Sequence, residues 1–154
     1  MVINYKAPQK IKDKKSNTSI LVKDYMSKNV ITFFNYDSIY LVMNTLSSNK
    51  ISGAPVINKF GKIVGVISET DIMKHVLESR YFNMPTNKDS VSNFMTKTVD
   101  TITANKTIFD AASRFFESNR KRFPVMDGDK IIGIISRSDI ITAALKIKGQ
   151  SWRK

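Results

Sequence analysis

The sequence predicts a mixed α/β (α+β) fold, built as two pseudo-twofold-related β-α-β-β-α repeats packed into one module. Two observations carry this. The first is a stretch that occurs twice, Ile63–Ile72 (IVGVISETDI) and Ile131–Ile141 (IIGIISRSDII), each with a Gly, a Ser three residues later and an Asp three beyond that. The second is register. Ile108, Ala111, Ala112 and Phe115 repeat Ile39, Val42, Met43 and Leu46 at an offset of 69, and Pro124-Val125 repeats Pro55-Val56 at the same offset. Two such repeats imply that each half covers the other's apolar face.

The elements follow in order. Residues 1–19 are rich in Lys, Asn and Ser without a hydrophobic period, which predicts a basic, flexible arm. Val22–Met26 reads as a short helical turn and Val30–Phe34 as a strand. Asp37 can cap a helix whose apolar residues Ile39, Val42, Met43 and Leu46 fall on one face, and Asn49-Lys50 ends it. Ala54–Ile57 reads as a strand at a sheet edge, where Pro55 is tolerated. Lys59–Lys62 is a hairpin turn into the strand Ile63–Ile67, and a helix is expected from about Thr70 to Arg80. A polar segment with Pro85, 81–90, links the repeats. The second repeat spans 91–146, opening on Val91–Met95, with a strand Val99–Thr103 and a shortened hairpin at Asp127-Gly128-Asp129 that resets the offset to 68. Residues 147–154 read as a basic tail. In the strand Ile131–Ile135, Gly133 leaves room for something to approach the backbone.

Composition narrows the function classes. With 154 residues, 42% hydrophobic and 25% charged, the chain suffices for one domain or two small packed ones. It has no Cys, so disulfides and thiolate metal sites are excluded. No apolar run approaches the ~20 residues of a membrane span, and no signal peptide is evident, so a cytoplasmic protein is expected. The net charge is +12, of which residues 1–20 and 146–154 hold +4 each. Charge placed in tails solubilises and attracts anions, and nucleic-acid contact is the sharper reading. His75 has no second imidazole or Cys to share a metal, and no nucleophile is paired with a base. Glu69 beside Asp71 suits a helix start, and no phosphate-cradling Gly-rich loop is present.

The two repeats resemble tandem cystathionine-β-synthase (CBS) domains, the pair known as a Bateman module. The likeness covers about residues 20–146. It rests on a Val-x-x-[aromatic]-Met opening, a Pro-Val strand and a Gly-x-x-Ser-x-x-Asp close in each repeat. It implies a cleft that takes its sugar-binding Asp from one repeat and its base pocket largely from the other. The better cleft would pair Asp139, Ser136, Ser138, Ile134 and Arg122 with Thr32, Ser52, Gly53 and Ala54. The second would pair Asp71, Ser68 and Thr70 with Thr101, Lys121 and Phe123, in a bulkier, charged and therefore poorer or closed pocket. A carboxylate offers two acceptors to a vicinal diol, and hydroxyls at a helix start can donate to ribose or phosphate. The same Ser and Asp also cap helices, so the residues by themselves leave both roles open. Arg120-Lys121-Arg122 stands where such modules place phosphate-binding cations, and equally fits a solvated helix end.

The resemblance implies a regulatory module that senses AMP, ADP, ATP or a related adenosyl ligand, without catalysis and with no catalytic cofactor. It implies a homodimer and, because no effector domain is recognisable, a separate protein partner. The alternative is a nucleic-acid-binding or scaffolding protein with basic tails and a structural CBS pair.

Overall fold

The computed structural model describes residues 20–82 and 89–152, so the arm expected over 1–19 lies outside the described residues. The first repeat runs β1 (Phe33–Phe34), α1 (Ile39–Asn49), β2 (Gly53–Ile57), β3 (Ile63–Ser68) and α2 (Glu69–Phe82). The second runs β4 (Ile102–Thr103), α3 (Ile108–Glu117), β5 (Arg122–Asp127), β6 (Lys130–Ser136) and α4 (Arg137–Trp152). Each repeat holds a three-stranded sheet, β1-β2-β3 or β4-β5-β6. The short first strand is parallel to the second, and the hairpin is antiparallel. The mixed α+β architecture of two repeats is as the sequence predicts.

Local chemistry sets the helix ends. Ser38, not Asp37, caps α1 by accepting from the Leu41 N–H at 3.2 Å, while Asp37 accepts from the Phe34 N–H at 2.8 Å. Lys50 closes α1 in the left-handed region at φ 52°. In α3, Thr107 and Asp110 form a reciprocal capping box. Helix α1 buries Ile39, Val42 and Leu46, and α3 buries Ile108, Ala111 and Phe115 at the matching positions. Helix α4 continues to Trp152, so residues 147–152 prolong the helix instead of forming a tail.

The prolines do not mark sheet edges, because β2 and β5 are the central strands. They mark where the parallel ladder stops. Strand β1 pairs Phe33 with Val56, and β4 pairs Ile102 with Val125, so one step further back each would meet Pro55 or Pro124. Proline has no N–H to donate, and the ladder ends there. The expected strands Val30–Phe34 and Val99–Thr103 are therefore cut to two residues each, and the preceding chain is left free to turn towards the middle of the molecule.

The repeats exchange their openings. The turn Val22–Asp24 lies on the second repeat: the Val22 N–H donates to the Lys106 carbonyl and the Ile108 N–H to the Ile20 carbonyl, both at 2.8 Å. Ser27 and Ile134 exchange both backbone hydrogen bonds, at 2.8 and 2.9 Å. The counterpart turn Val91–Asn93 lies on the first repeat, with Val91 donating to the Asp37 carbonyl, and Val66 and Thr96 exchanging bonds at 2.9 Å. Val22 and Met26 thus belong to the core of Phe115, Phe123 and Ile135. Val91, Phe94 and Met95 belong to the core of Phe33, Val42 and Ile67. Asp89, expected in the linker, is buried beside His75, whose Nδ1 lies 3.9 Å from the carboxylate and whose ring meets Phe94 edge-on. Burying Val22 and Val91 fully contributes roughly 1.5–3 kcal/mol each.

What approaches Gly133 and Gly65 is the crossing turn of the other repeat. A Cβ on Gly65 would lie 2.7 Å from the Met95 Sδ and 2.9 Å from the Thr96 carbonyl oxygen. On Gly133 it would collide with the Met26 sulfur and reach 2.9 Å from the Ser27 carbonyl oxygen. Methionine can shift, but the carbonyl is fixed by the exchanged bonds. Gly133→Ala should therefore cost about 1–3 kcal/mol in urea unfolding, as overpacking does. Gly149→Ala, on α4 with open space around it, should be neutral or stabilising. Equal stability of Gly133→Ala and the parent protein would contradict the interlock.

Candidate ligand site between the repeats

Strand β6 delivers Ser136 to the start of α4, and Asp139 sits in the first helical turn. The Asp139 Oδ2 accepts from the Ser136 N–H at 2.8 Å and from its hydroxyl at 2.9 Å. This is helix capping. It engages one oxygen, and no described residue donates to Oδ1. Capping and ligand contact are thus compatible roles for one carboxylate.

The crossing chain of the first repeat closes a cavity of about 260 Å3 over this carboxylate. Of the residues expected in the better cleft, Gly53, Arg122, Ile134, Ser136 and Asp139 line it. Ser27, Asn29, Ile31 and Ile51 complete the wall. Arg122 is half-buried and its guanidinium has no hydrogen-bond or ion-pair partner among the described residues. A carboxylate oxygen, small polar groups, an uncommitted planar cation and two isoleucines therefore face one space. The set can hold a flat apolar ring, a sugar hydroxyl pair and an anion at once.

A larger groove of about 350 Å3 lies alongside, lined on one side by Ser52, Ala54, Ser68, Glu69 and Thr70 and on the other by Thr98, Asp100, Arg120 and Lys121. It shares Gly53, Arg122 and Ile134 with the smaller cavity. At the offset of the repeats, Asp100 and Arg120 occupy the places of Ile31 and Ile51. The two form an ion pair at 2.9 Å, so an apolar wall on one side is an ionic one on the other. This second cleft is charged, as its residues suggest, but it is the larger of the two and is not closed.

Five expected residues line neither cleft. Thr32 lines a separate cavity of about 580 Å3 with Phe60 and Lys130 at the hairpin ends. Thr101 lines neither cleft, and its carbonyl accepts from the Arg114 guanidinium. Phe123 is 1% exposed, packed at a tilt against Phe115 under the Arg114 guanidinium, and belongs to the core. Ser138 is exposed and bonds the Ser136 hydroxyl at 2.9 Å. Asp71 bonds Ser68 through Oδ2 as Asp139 does Ser136, but does not line the groove. Ser52 and Ala54 line the groove and not the smaller cavity.

The signal for Ser27, Asn29 and Ile31 was their alternation. Successive side chains along this segment go to different cavities, Ser27, Asn29 and Ile31 to the cleft and Val30 and Thr32 to the cavity at the hairpin ends. The corresponding residues Thr98 and Asp100 face the groove in the second repeat. Among the described residues, no three His, Cys, Asp or Glu side chains are gathered as for a metal ion, and no helix is long and apolar enough to cross a membrane.

Comparison with known proteins agrees with this architecture. The CBS domain family model matches residues 22–78 and 91–146. The Methanocaldococcus jannaschii protein MJ1426 is 34% identical over 155 residues, covering 82% of this chain and 92% of its own length. The chain spans smaller shares of other curated relatives, 44% of one and 22% of another. The crystal structure of Arabidopsis thaliana CBSX2 in complex with AMP superposes with a TM-score of 0.73 at 28% identity, covering 84% of this chain and 99% of that one. The CBS domain pair of protein MJ0100, in complex with 5′-methylthioadenosine and S-adenosyl-L-methionine, gives a TM-score of 0.66 at 29% identity, covering 79% and 97%. Two matched domains, each with its sheet, its helices and its exchanged opening turn, make this chain a member of the CBS domain family, built as a tandem pair.

Proposed function

We propose that this chain is a regulatory module that binds an adenine nucleotide, AMP, ADP, ATP or a related adenosyl ligand, in the cleft between its repeats and signals to a separate protein partner. The observation that carries this reading is the pairing, across one cavity, of the unclaimed Asp139 Oδ1 with the uncommitted Arg122 guanidinium. The ribose diol meets the carboxylate, the phosphates meet Arg122, and the base lies against Ile31 and Ile51. The adenosyl ligands of CBSX2 and MJ0100 support the choice of base. The reading assigns binding and no catalysis.

Signalling follows from placement. The cavity wall is contributed by both repeats, so a bound ligand favours the arrangement that closes on it, by its differential affinity for the two arrangements. The read-out surface is the helical face. Met73 and Leu77 on α2, Phe109 and Phe116 on α3, and Ile141 and Leu145 on α4 are exposed, Phe116 to 94%. Apolar residues in such number suit burial against another subunit, and the reading includes a homodimer through these helices. Sedimentation equilibrium should then give twice the chain mass of 17.5 kDa, and a monomer at micromolar concentration would remove that part of the reading.

Two variants separate the roles of sugar and phosphate. Asp139→Ala should weaken adenosine and ATP about equally, by an amount on the order of 1.5–3 kcal/mol per hydrogen bond lost, with a smaller loss of fold stability of roughly 0.5–2 kcal/mol from the cap. Arg122→Ala should weaken ATP and leave adenosine nearly unchanged, and Arg122→Lys should recover only part of the loss, because Lys lacks the bidentate fork. Calorimetry on folded variants is the measurement. Unchanged ATP affinity in both variants would refute the proposed site.

A further inference from the structure

The cavity of about 580 Å3 at the hairpin ends is built by both repeats and shares no residue with the smaller cleft over Asp139. Val30, Ile57 and Ile131 give it apolar walls, and Phe60, which lines it from the tip of the first hairpin, is 81% exposed. Its rim is acidic on one side. The second hairpin contributes Asp127 and Asp129 against Lys130, and neither carboxylate has an ion pair among the described residues. Lys59 and Lys62 of the first hairpin do not line the cavity, and the Lys59 ammonium lies over the Phe60 ring at 5.0 Å. Such a space fits an apolar side chain flanked by cations. Residues 1–19 of the same chain have that pattern: Lys6, Lys10, Lys12, Lys14 and Lys15 stand against Asp13 alone, and Ile11 lies between Lys10 and Lys12. The arm is also rooted nearby. The Ile20 carbonyl accepts from the Ile108 N–H, the Lys23 N–H donates to the Ala104 carbonyl at 3.1 Å, and the Ala104 N–H donates to the Met126 carbonyl at 2.9 Å. Two backbone hydrogen bonds therefore connect the root of the arm to the residue before Asp127. From Ile20 back to Ile11 an extended chain spans about 30 Å, so Lys10-Ile11-Lys12 reaches the cavity.

We propose that the basic arm is an intramolecular strap, docked at the hairpin-end cavity with Ile11 against the apolar walls and its flanking lysines on Asp127 and Asp129. A tether this short gives the arm an effective concentration on the order of millimolar at the cavity, so contacts too weak to hold a free peptide suffice. The strap has a consequence for the cleft. Asn29 and Ile31 face the cleft while Val30 and Thr32, in the same segment, face the hairpin-end cavity. A docked arm thus backs one wall of the cleft, and its release loosens that wall. This coupling rests on the nucleotide reading above, whereas the docking itself does not.

The test is carbodiimide coupling of the full chain at low salt, followed by peptide mapping. The reagent joins a carboxylate directly to an ammonium as an amide, with water lost to the reagent. The arm's lysines should be joined to Asp127 or Asp129 several-fold more often than to Asp24 or Asp110, which lie closer to the arm's root at Ile20. At about 1 M NaCl, where the Debye length is about 3 Å, that preference should vanish. A mixture of isotope-labelled and unlabelled chains separates links within one chain from links between copies. In parallel, the full-length Lys10→Glu/Lys12→Glu protein should show shifted amide resonances at Val30, Thr32 and Gly61, and a weakened affinity for ATP by calorimetry. Coupling without preference for Asp127 and Asp129, coupling mainly between copies, or unmoved resonances overturns the strap. Shifted resonances with unchanged ATP affinity overturn its coupling to the cleft, and failure of ATP to bind the parent protein overturns the nucleotide reading while the strap stands.

Discussion

The structure depends on the seating of each repeat's opening turn on the other repeat's sheet. Met26 and Ser27 lie against Gly133, and Met95 and Thr96 against Gly65. Each crossing exchanges a pair of backbone hydrogen bonds with the outer hairpin strand, β6 or β3. The outer strand of each hairpin thus gains a partner on its free edge, which removes an aggregation liability. Each core is completed by side chains from the other end of the sequence, so neither repeat has a full core by itself. The cleft is a direct consequence, because the chain leaving the crossing must pass over the start of α4 to reach β1.

Pseudo-symmetry generates two clefts and side-chain identity makes them unequal. The prolines stop the parallel ladders at equivalent points in both repeats, which frees Asn29 and Ile31 on one side and Thr98 and Asp100 on the other. One cleft then receives two isoleucines and the other an ion pair. The same division places uncommitted cations at the shared wall and beyond it.

Much of this was legible in the residues. The doubled Gly-x-x-Ser-x-x-Asp and the matched helix faces specify the repeats, and the resemblance to tandem CBS domains is what grouped Ser136, Asp139, Arg122 and Gly53 at one cleft. Three features were not legible. The exchange of opening turns is a long-range choice that Val22 and Val91, identical in the two repeats, cannot signal. Thr32 and Thr101 miss the clefts because one residue of register reverses the face of an extended chain. Phe123 follows two cations, Lys121 and Arg122, in the sequence yet alternates inward, so its ring joins the core. Pro55 misled for a related reason: it marks the end of a ladder within a central strand and not the edge of a sheet.

The account's central claim is that the interlock and the ligand cleft are one structure. Amide hydrogen exchange with and without ATP tests it most directly. Ser27 and Ile134 are far apart in sequence and share a pair of hydrogen bonds beside the cavity. The account predicts that ATP slows exchange at both by the same factor, since opening the crossing would empty the cleft. Protection of Ile134 and its neighbours with Ser27 unchanged, or protection centred on Thr32 at the hairpin ends, would contradict it.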